Sequence, residues 1–176
     1  AALTIDSLPP SLATMTDTPP LLIAWHSRTG ASEALARAAE EGAGGRAAMM
    51  RAEDITPEHL LAAQGYLFVC PENLATMSGM MKEMFDRCYY AVLGQLEGRP
   101  FATAIAAGSD GEGAQRQIDR IAQGWRLKRV AEPMIVCTHA QTPEAILSAK
   151  TLEYVVLSDA RALGEALAEG IEMGLF

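Results

Sequence analysis

A polar turn around Gly30 carries the residue types and the spacing of a small anion site. Ser27, Thr29 and Ser32 supply three hydroxyl groups within six residues. Arg28 adds a positive charge, and Gly30 allows the backbone to approach a ligand closely. If a helix starts at this turn, its first N–H groups lack internal partners and its dipole favours negative charge. The turn is therefore a candidate phosphate site.

An apolar strand before the turn and a helix after it would hold these hydroxyl groups in place. Residues 21–25 (LLIAW) are apolar throughout, which predicts a strand buried on both faces. From Ala31 to Glu41, small apolar and charged residues alternate as they do in a helix. The turn lacks the lysine of a nucleoside-triphosphate loop and the three glycines of a dinucleotide fingerprint. A polar turn whose Ser or Thr merely caps the helix is the alternative.

Strands and helices alternate along the rest of the chain as well. Further strands are predicted at 46–51, 66–70, 101–107 and 134–137, and further helices from Thr56-Pro57, at 78–93, at 114–123 and at 158–172. This alternation predicts an α/β fold: a doubly wound five-stranded parallel sheet with helices on both faces. The order 2-1-3-4-5 is one of the orders that such sheets adopt, and we take it as the expected one. Ligands bind such sheets at the carboxyl ends of the strands, where the strand order reverses. The Gly-rich and polar loops after the first, third and fourth strands should therefore meet.

Composition restricts the domain organisation and the class of partner. A chain of 176 residues favours one domain, assigned to residues 20–176, after a flexible leader at 1–19 that contains two Pro-Pro pairs. A net charge of −8 disfavours nucleic acid and anionic membranes as partners. Cys70, Cys88 and Cys137 lie in apolar segments without CxxC spacing, so we interpret them as reduced core thiols of a cytoplasmic protein. No spacing typical of a metal site or a hydrolase occurs, and we predict neither.

A second block of sequence indicates which phosphate ligand to expect. Residues 71–87 (PENLATMSGMMKEMFDR) resemble the flavin loop and following helix of flavodoxin-like NAD(P)H-dependent FMN and quinone reductases. The pattern of that family runs roughly P-x-x-x-x-x-M-S-G-x-M-K-x-x-x-D-R. The turn Ser27-x-Thr29-Gly30-x-Ser32 also resembles the S/T-x-T-G-x-S/T phosphate loop of flavodoxin-like proteins. Together the resemblances imply a flavodoxin-like fold and non-covalent binding of FMN.

The resemblance also implies which residues would hold FMN. The turn after the first strand would hold the phosphate, the loop at 71–78 would wrap the edge of the ring, and the loop at 108–111 would cover its other side. Small residues in the last loop would let backbone amides approach the ring. The residues assigned in this way are Ser27, Arg28, Thr29, Gly30, Ala31, Ser32, Pro71, Glu72, Asn73, Leu74, Ala75, Thr76, Met77, Ser78, Gly108, Ser109, Asp110 and Gly111.

The same resemblance implies an enzyme that transfers two electrons from NAD(P)H to a quinone, a flavin or a similar small-molecule acceptor. The second loop offers Asn73, Leu74 and Met77 rather than the aromatic residues that flank the ring in electron-shuttle flavodoxins. An open ring face leaves room for a second planar molecule. Hydride transfer demands no acid or base from the protein, so no catalytic residue is predicted. The alternatives are a one-electron carrier of the flavodoxin type and a flavin-free scaffold of the same fold.

Other side chains at the ligand edge have two interpretations each. His26 and His139 follow apolar strands, and each could donate to flavin or substrate or be partly buried and bonded to backbone. Glu72, Asp110 and Glu112 would place negative charge around a flavin and disfavour its reduced anion, or they are solvated loop acids. The methionines of the helix at 78–93 indicate core packing or a contact in a homo-oligomer.

Overall fold

The computed structural model describes residues 19–176, so the predicted leader lies outside the described residues except for Pro19. The strands are β1 (Leu21–Trp25), β2 (Ala47–Arg51), β3 (Gly65–Asn73), β4 (Thr76–Met77), β5 (Pro100–Ala107), β6 (Lys128–Arg129) and β7 (Met134–Cys137). The helices are α1 (Ala31–Ala43), α2 (Pro57–Ala62), α3 (Gly79–Val92), α4 (Glu112–Gly124), α5 (Pro143–Leu147) and α6 (Tyr154–Glu172). Within this span, no helix is both long and apolar enough to cross a membrane.

The sheet has the predicted strand order once its last position is counted as two short strands. β2, β1, β3 and β5 lie side by side in that order, and β6 and β7 both pair with β5. All of these pairings are parallel, so the predicted order 2-1-3-4-5 is confirmed. Trp25 at the end of β1 lies beside Val69 of β3, and Val69 lies beside Ala104 of β5. The loops that follow these three strands therefore leave the sheet at the same edge.

Helices cover both faces of the sheet, and each face has its own hydrophobic core. Leu21 and Ile23 of β1 belong to the core formed with α1 and α6. Leu22 and Ala24, which alternate with them, belong to the core formed with α3 and α4. Because successive side chains of a strand point to opposite faces, an unbroken apolar run is what a strand covered on both sides requires. The prediction that residues 21–25 are buried on both faces is confirmed.

The third strand is longer than predicted. The predicted strand ended at Cys70, immediately before Pro71, but β3 continues to Asn73 and returns through an antiparallel pairing with β4. A proline lacks only the N–H donor, and the carbonyl oxygen of Pro71 still accepts a hydrogen bond from the Ser78 N–H at 3.1 Å. The two residues between the strands, Leu74 and Ala75, have φ of 51° and 62°. The second loop is therefore a tight hairpin with two left-handed residues rather than an irregular loop.

The fifth position of the sheet is interrupted, and the helices after it differ from the prediction. β6 pairs with the start of β5, and β7 pairs with its end. Just after β6 the chain makes one more hydrogen bond to β5, from the Val130 N–H to the Phe101 carbonyl oxygen at 3.1 Å. It then passes Pro133, which has no N–H to pair. The short helix α5 was not predicted, and α6 begins at Tyr154, four residues before the predicted start at Ser158.

The cysteines and the methionines of α3 are mostly core residues. Cys70 and Cys88 are buried, as predicted, whereas Cys137 is half-buried at the end of β7. Burial raises the pKa of the Cys70 thiol to about 12. Met81 and Met84 are fully buried, which agrees with core packing rather than an exposed contact surface.

Candidate functional site

The three predicted loops meet at the carboxyl edge of the sheet and enclose a cavity of about 90 Å³. Their contributions come from the turn after β1, the start of the β3–β4 hairpin and the end of β5. A fourth segment, after β7, closes another side. The lining residues are Ser27, Arg28, Thr29, Ala31, Ser32, Pro71, Glu72, Asn73, Ala106, Ala107, Gly108, Thr138, Ala140, Ile146, Leu147 and Lys150.

The turn after β1 presents the open N-terminus of α1 to this cavity. Gly30 precedes the helix with φ of 95°, a left-handed conformation that favours glycine. Its N–H donates to the Ser27 hydroxyl oxygen at 3.0 Å, so that side chain shapes the turn. The first hydrogen bond of the helix runs from the Ala34 N–H to the Gly30 carbonyl oxygen at 2.9 Å. Within the described residues, no side chain caps the helix, which leaves its first N–H groups available to an anion.

Ser32 adds a hydroxyl group to this helix end. The residue is 1% exposed, and within residues 19–176 its hydroxyl oxygen is buried without a hydrogen-bond partner. Buried hydroxyl groups are normally paired, because an unpaired one loses its bond to water without replacement. Since Ser32 lines the cavity, a ligand oxygen placed there would supply the missing partner.

The second and third loops face the cavity with fewer residues than predicted. Pro71, Glu72 and Asn73 line it on one side and Gly108 on another. The Glu72 carboxylate is not a solvated loop acid: it accepts hydrogen bonds from the N–H groups of Gly111 at 2.9 Å and Ala114 at 3.0 Å. It therefore joins the second loop to the third.

Nine of the residues predicted to hold a cofactor lie in these loops but do not line the cavity. They are Gly30, Leu74, Ala75, Thr76, Met77, Ser78, Ser109, Asp110 and Gly111. Met77 and Ser78 are only 2% and 1% exposed, whereas Leu74 at the tip of the hairpin is 99% exposed. The turn of the hairpin explains the division, because it sends the chain away from the cavity after Asn73 and returns it into the core. Contact between these nine residues and a cofactor remains a prediction.

The segment after β7 was missed as part of the site. The backbone N–H of Lys150 donates to the Thr29 carbonyl oxygen at 2.8 Å, which fixes this segment to the turn after β1. The Lys150 ammonium group donates to the carbonyl oxygens of Ala145 at 2.6 Å and Ser148 at 2.6 Å. Its positive charge therefore stabilises the C-terminal end of α5. Thr142-Pro143, a cap followed by proline at the first helical position, is the sequence signal that could have identified α5.

Neither predicted histidine lines the cavity. The backbone N–H of His26 donates to the Val69 carbonyl oxygen at 3.0 Å. The Nδ1 atom of the His26 ring is buried and has no hydrogen-bond partner among the described residues. Burial lowers the pKa of His26; Glu53 opposes this shift, and the positive charges of Arg28 and Arg51 add to it. A neutral imidazole is therefore favoured at His26, which directly precedes the turn after β1.

Known proteins share both the fold and part of the sequence pattern. A flavodoxin from the domain Archaea aligns with a TM-score of 0.71 at 16% identity, covering 86% of this chain and 98% of that one. A flavodoxin, WrbA-like protein from Agrobacterium tumefaciens aligns with a TM-score of 0.67 at 15% identity, covering 87% and 97%. The fold is flavodoxin-like. The rubredoxin oxygen:oxidoreductase of Desulfovibrio gigas contains a similar fold in 37% of its chain, with a TM-score of 0.71, 13% identity and 90% of this chain covered.

Part of the chain also matches a family of sequences, which is more specific than a shared fold. The family model described as NADPH-dependent FMN reductase matches residues 55–140, which include the second and third loops. This match confirms the resemblance to flavodoxin-like FMN reductases. A search of curated proteins gives no significant match.

Proposed function

We propose that this flavodoxin-like chain binds FMN non-covalently in the cavity and transfers two electrons from NAD(P)H to a small acceptor such as a quinone or free flavin. The observation that carries the proposal is the end of α1. There, uncapped N–H groups and the buried Ser32 hydroxyl face one cavity, and within the described residues that hydroxyl lacks a partner. A phosphate monoester has the charge and the acceptor oxygens that such a site lacks.

The enclosed part of the cavity suits the phosphate end of the cofactor. Its volume of about 90 Å³ is well below the roughly 300–1,000 Å³ of sites that enclose a whole organic ligand. The ring would therefore lie at the rim, between Pro71–Asn73 on one side and Gly108 on the other. Bound FMN supplies the hydride chemistry, and the protein residues hold and orient it.

The open rim favours an enzyme over a carrier. The residues at the rim that would flank the ring, Pro71–Asn73 and Gly108, include no aromatic side chain. A second planar molecule could then approach the ring, which a nicotinamide or a quinone requires. The description of the matching family, NADPH-dependent FMN reductase, supports the same activity. Location in the cytoplasm and assembly into a homo-oligomer remain predictions.

Purification with FMN followed by reduction tests this proposal. We expect a yellow protein that is bleached by NADH or NADPH and regains its colour when a quinone is added. Thr29→Val should weaken FMN retention, because Thr29 lies in the proposed phosphate turn, while a change at an exposed residue outside the cavity lining, such as Gln95→Ala, should not. A protein that binds no FMN would favour the scaffold alternative. Bleaching by dithionite but by neither nicotinamide would favour the carrier.

A further inference from the structure

Helix α4 begins with the same backbone geometry as α1, but its N-terminus is already occupied. Gly111 precedes α4 with φ of 86° and ψ of −16°, and Gly30 precedes α1 with 95° and −21°. Neither glycine can cap its helix with a side chain. At α4 the Glu72 carboxylate fills this role, with one oxygen on the Gly111 N–H and the other on the Ala114 N–H. Glu72 is thus an internal anion where α1 is open.

The hairpin that carries Glu72 is held to α4 at two further points. The Met77 N–H donates to the Gln117 side-chain oxygen at 2.9 Å. At the hairpin tip, α4 approaches so closely that a Cβ atom on Gly113 would overlap the Ala75 carbonyl oxygen. The hairpin and the first turns of α4 therefore form one unit. Pro71, Glu72 and Asn73 of that unit line the cavity, and of these Glu72 carries the negative charge and caps α4.

We propose that Glu72 is a positioning residue for the flavin ring, an inference that rests on the proposed FMN site. It fixes the hairpin against the third loop, so the slot for the ring exists before the cofactor arrives. It also places a negative charge on the positive end of α4, beside that slot. Two consequences follow: α1 offers the accessible helix end to the FMN phosphate, and the local negative charge makes the flavin harder to reduce.

Two variants separate the mechanical effect of this unit from its charge. Glu72→Gln keeps the size of the side chain, removes the charge and leaves one oxygen to accept where two accept now. Gln117→Ala removes the bond to Met77 without changing any charge. Each variant is measured for affinity to FMN, affinity to inorganic phosphate and two-electron midpoint potential. Exchange of the Gly111 and Ala114 amide hydrogens is followed by NMR in the FMN-free protein.

For Glu72→Gln we expect faster amide exchange at both positions, FMN affinity weakened about tenfold, unchanged phosphate affinity and a more positive midpoint potential. For Gln117→Ala we expect weaker FMN binding with an unchanged potential. Unchanged exchange in Glu72→Gln would overturn the proposal, and so would weaker FMN binding with no shift in potential, because the charge would then have no role. A wild-type protein that binds phosphate but not FMN would instead refute the proposed function. The exchange measurement would still test the contacts of Glu72.

Discussion

Replacing Ser32 with alanine should stabilise the FMN-free protein and weaken FMN binding. The hydroxyl group is buried in the cavity, and within the described residues it has no hydrogen-bond partner. In the empty protein it therefore costs free energy of folding, whereas in the complex it would donate to the phosphate. Opposite signs for the two quantities would distinguish an unpaired hydroxyl that meets the ligand from a residue that only holds the turn together.

The expected magnitudes follow from the two environments of one oxygen atom. An unpaired buried hydroxyl costs about 1–3 kcal/mol, and part of this is offset by the contacts the oxygen makes. A net gain of about 1 kcal/mol would raise the Tm of a chain of this length by about 2–4 °C. A hydrogen bond to a charged group contributes about 1.5–3 kcal/mol, so the Kd for FMN should rise roughly 10- to 100-fold.

Ser27→Ala is the matched control in the same turn. The Ser27 hydroxyl oxygen already accepts a hydrogen bond from the Gly30 N–H at 3.0 Å. Its removal should lower the Tm of the FMN-free protein by about 2–4 °C, since a net hydrogen bond of roughly 1 kcal/mol is lost. FMN binding should also weaken, because the turn is less well ordered.

Thermal unfolding of the FMN-free proteins and fluorescence titration with FMN supply the two readouts. The reasoning is refuted if Ser32→Ala lowers the Tm as Ser27→Ala does, or if its Kd for FMN equals that of the wild type. The first result would mean that the hydroxyl is satisfied in the empty protein. The second would place the phosphate elsewhere.

Three further outcomes follow from other parts of the structure. Leu74→Asn combined with Ala75→Gly should raise the Tm by about 4–8 °C in thermal unfolding. Each of these left-handed positions costs roughly 1 kcal/mol or more with Leu or Ala and less with Asn or Gly, so the pair should recover about 2 kcal/mol. A lower Tm would contradict the hairpin turn. A thiol reagent at pH 7.5 should modify Cys137 in the folded protein and Cys70 only after unfolding, since burial keeps the Cys70 thiol protonated. Mass spectrometry of the labelled peptides measures which cysteine has reacted, and rapid labelling of Cys70 in the folded protein would contradict the prediction. The pKa of His26 in the folded protein is below its value of about 6.5 in the unfolded chain, so on acidification the unfolded state takes up a proton first and stability falls as the pH drops below that value. The urea midpoints at pH 7.5 and 5.5 should therefore differ less in His26→Gln than in the wild type. Equal differences in the two proteins would exclude the effect.

Local patterns predicted the strands and the turn that leads into α1 because their causes are local. The apolar run Leu21–Trp25 is buried on both faces, and Gly30 starts a helix where the pattern changes. Each of these features depends on the residues within one turn or one strand. The strand order came from the resemblance to flavodoxin-like proteins, because alternation and right-handed crossovers alone allow more than one order.

The remaining parts of the site depend on contacts between distant residues. Glu72 could be a solvated acid or a helix cap, and only the placement of β3 beside β5 brings it to the N–H of Gly111. The bond from Lys150 to Thr29 likewise joins segments more than 100 residues apart, and nothing in either segment alone indicates it. Pro71 was misread because its missing N–H matters only where a neighbour needs that donor.

The interruption of the fifth sheet position affects how readily this edge of the sheet could pair with another molecule and aggregate. β7 offers a row of only four residues at this edge, and β6 only two. Pro133, just before β7, has no N–H to contribute to that row. An extended segment of another molecule would find a template too short and too broken to pair with. The interrupted path of the chain at this position thus disfavours aggregation through this edge of the sheet, in a chain whose residues are 49% hydrophobic.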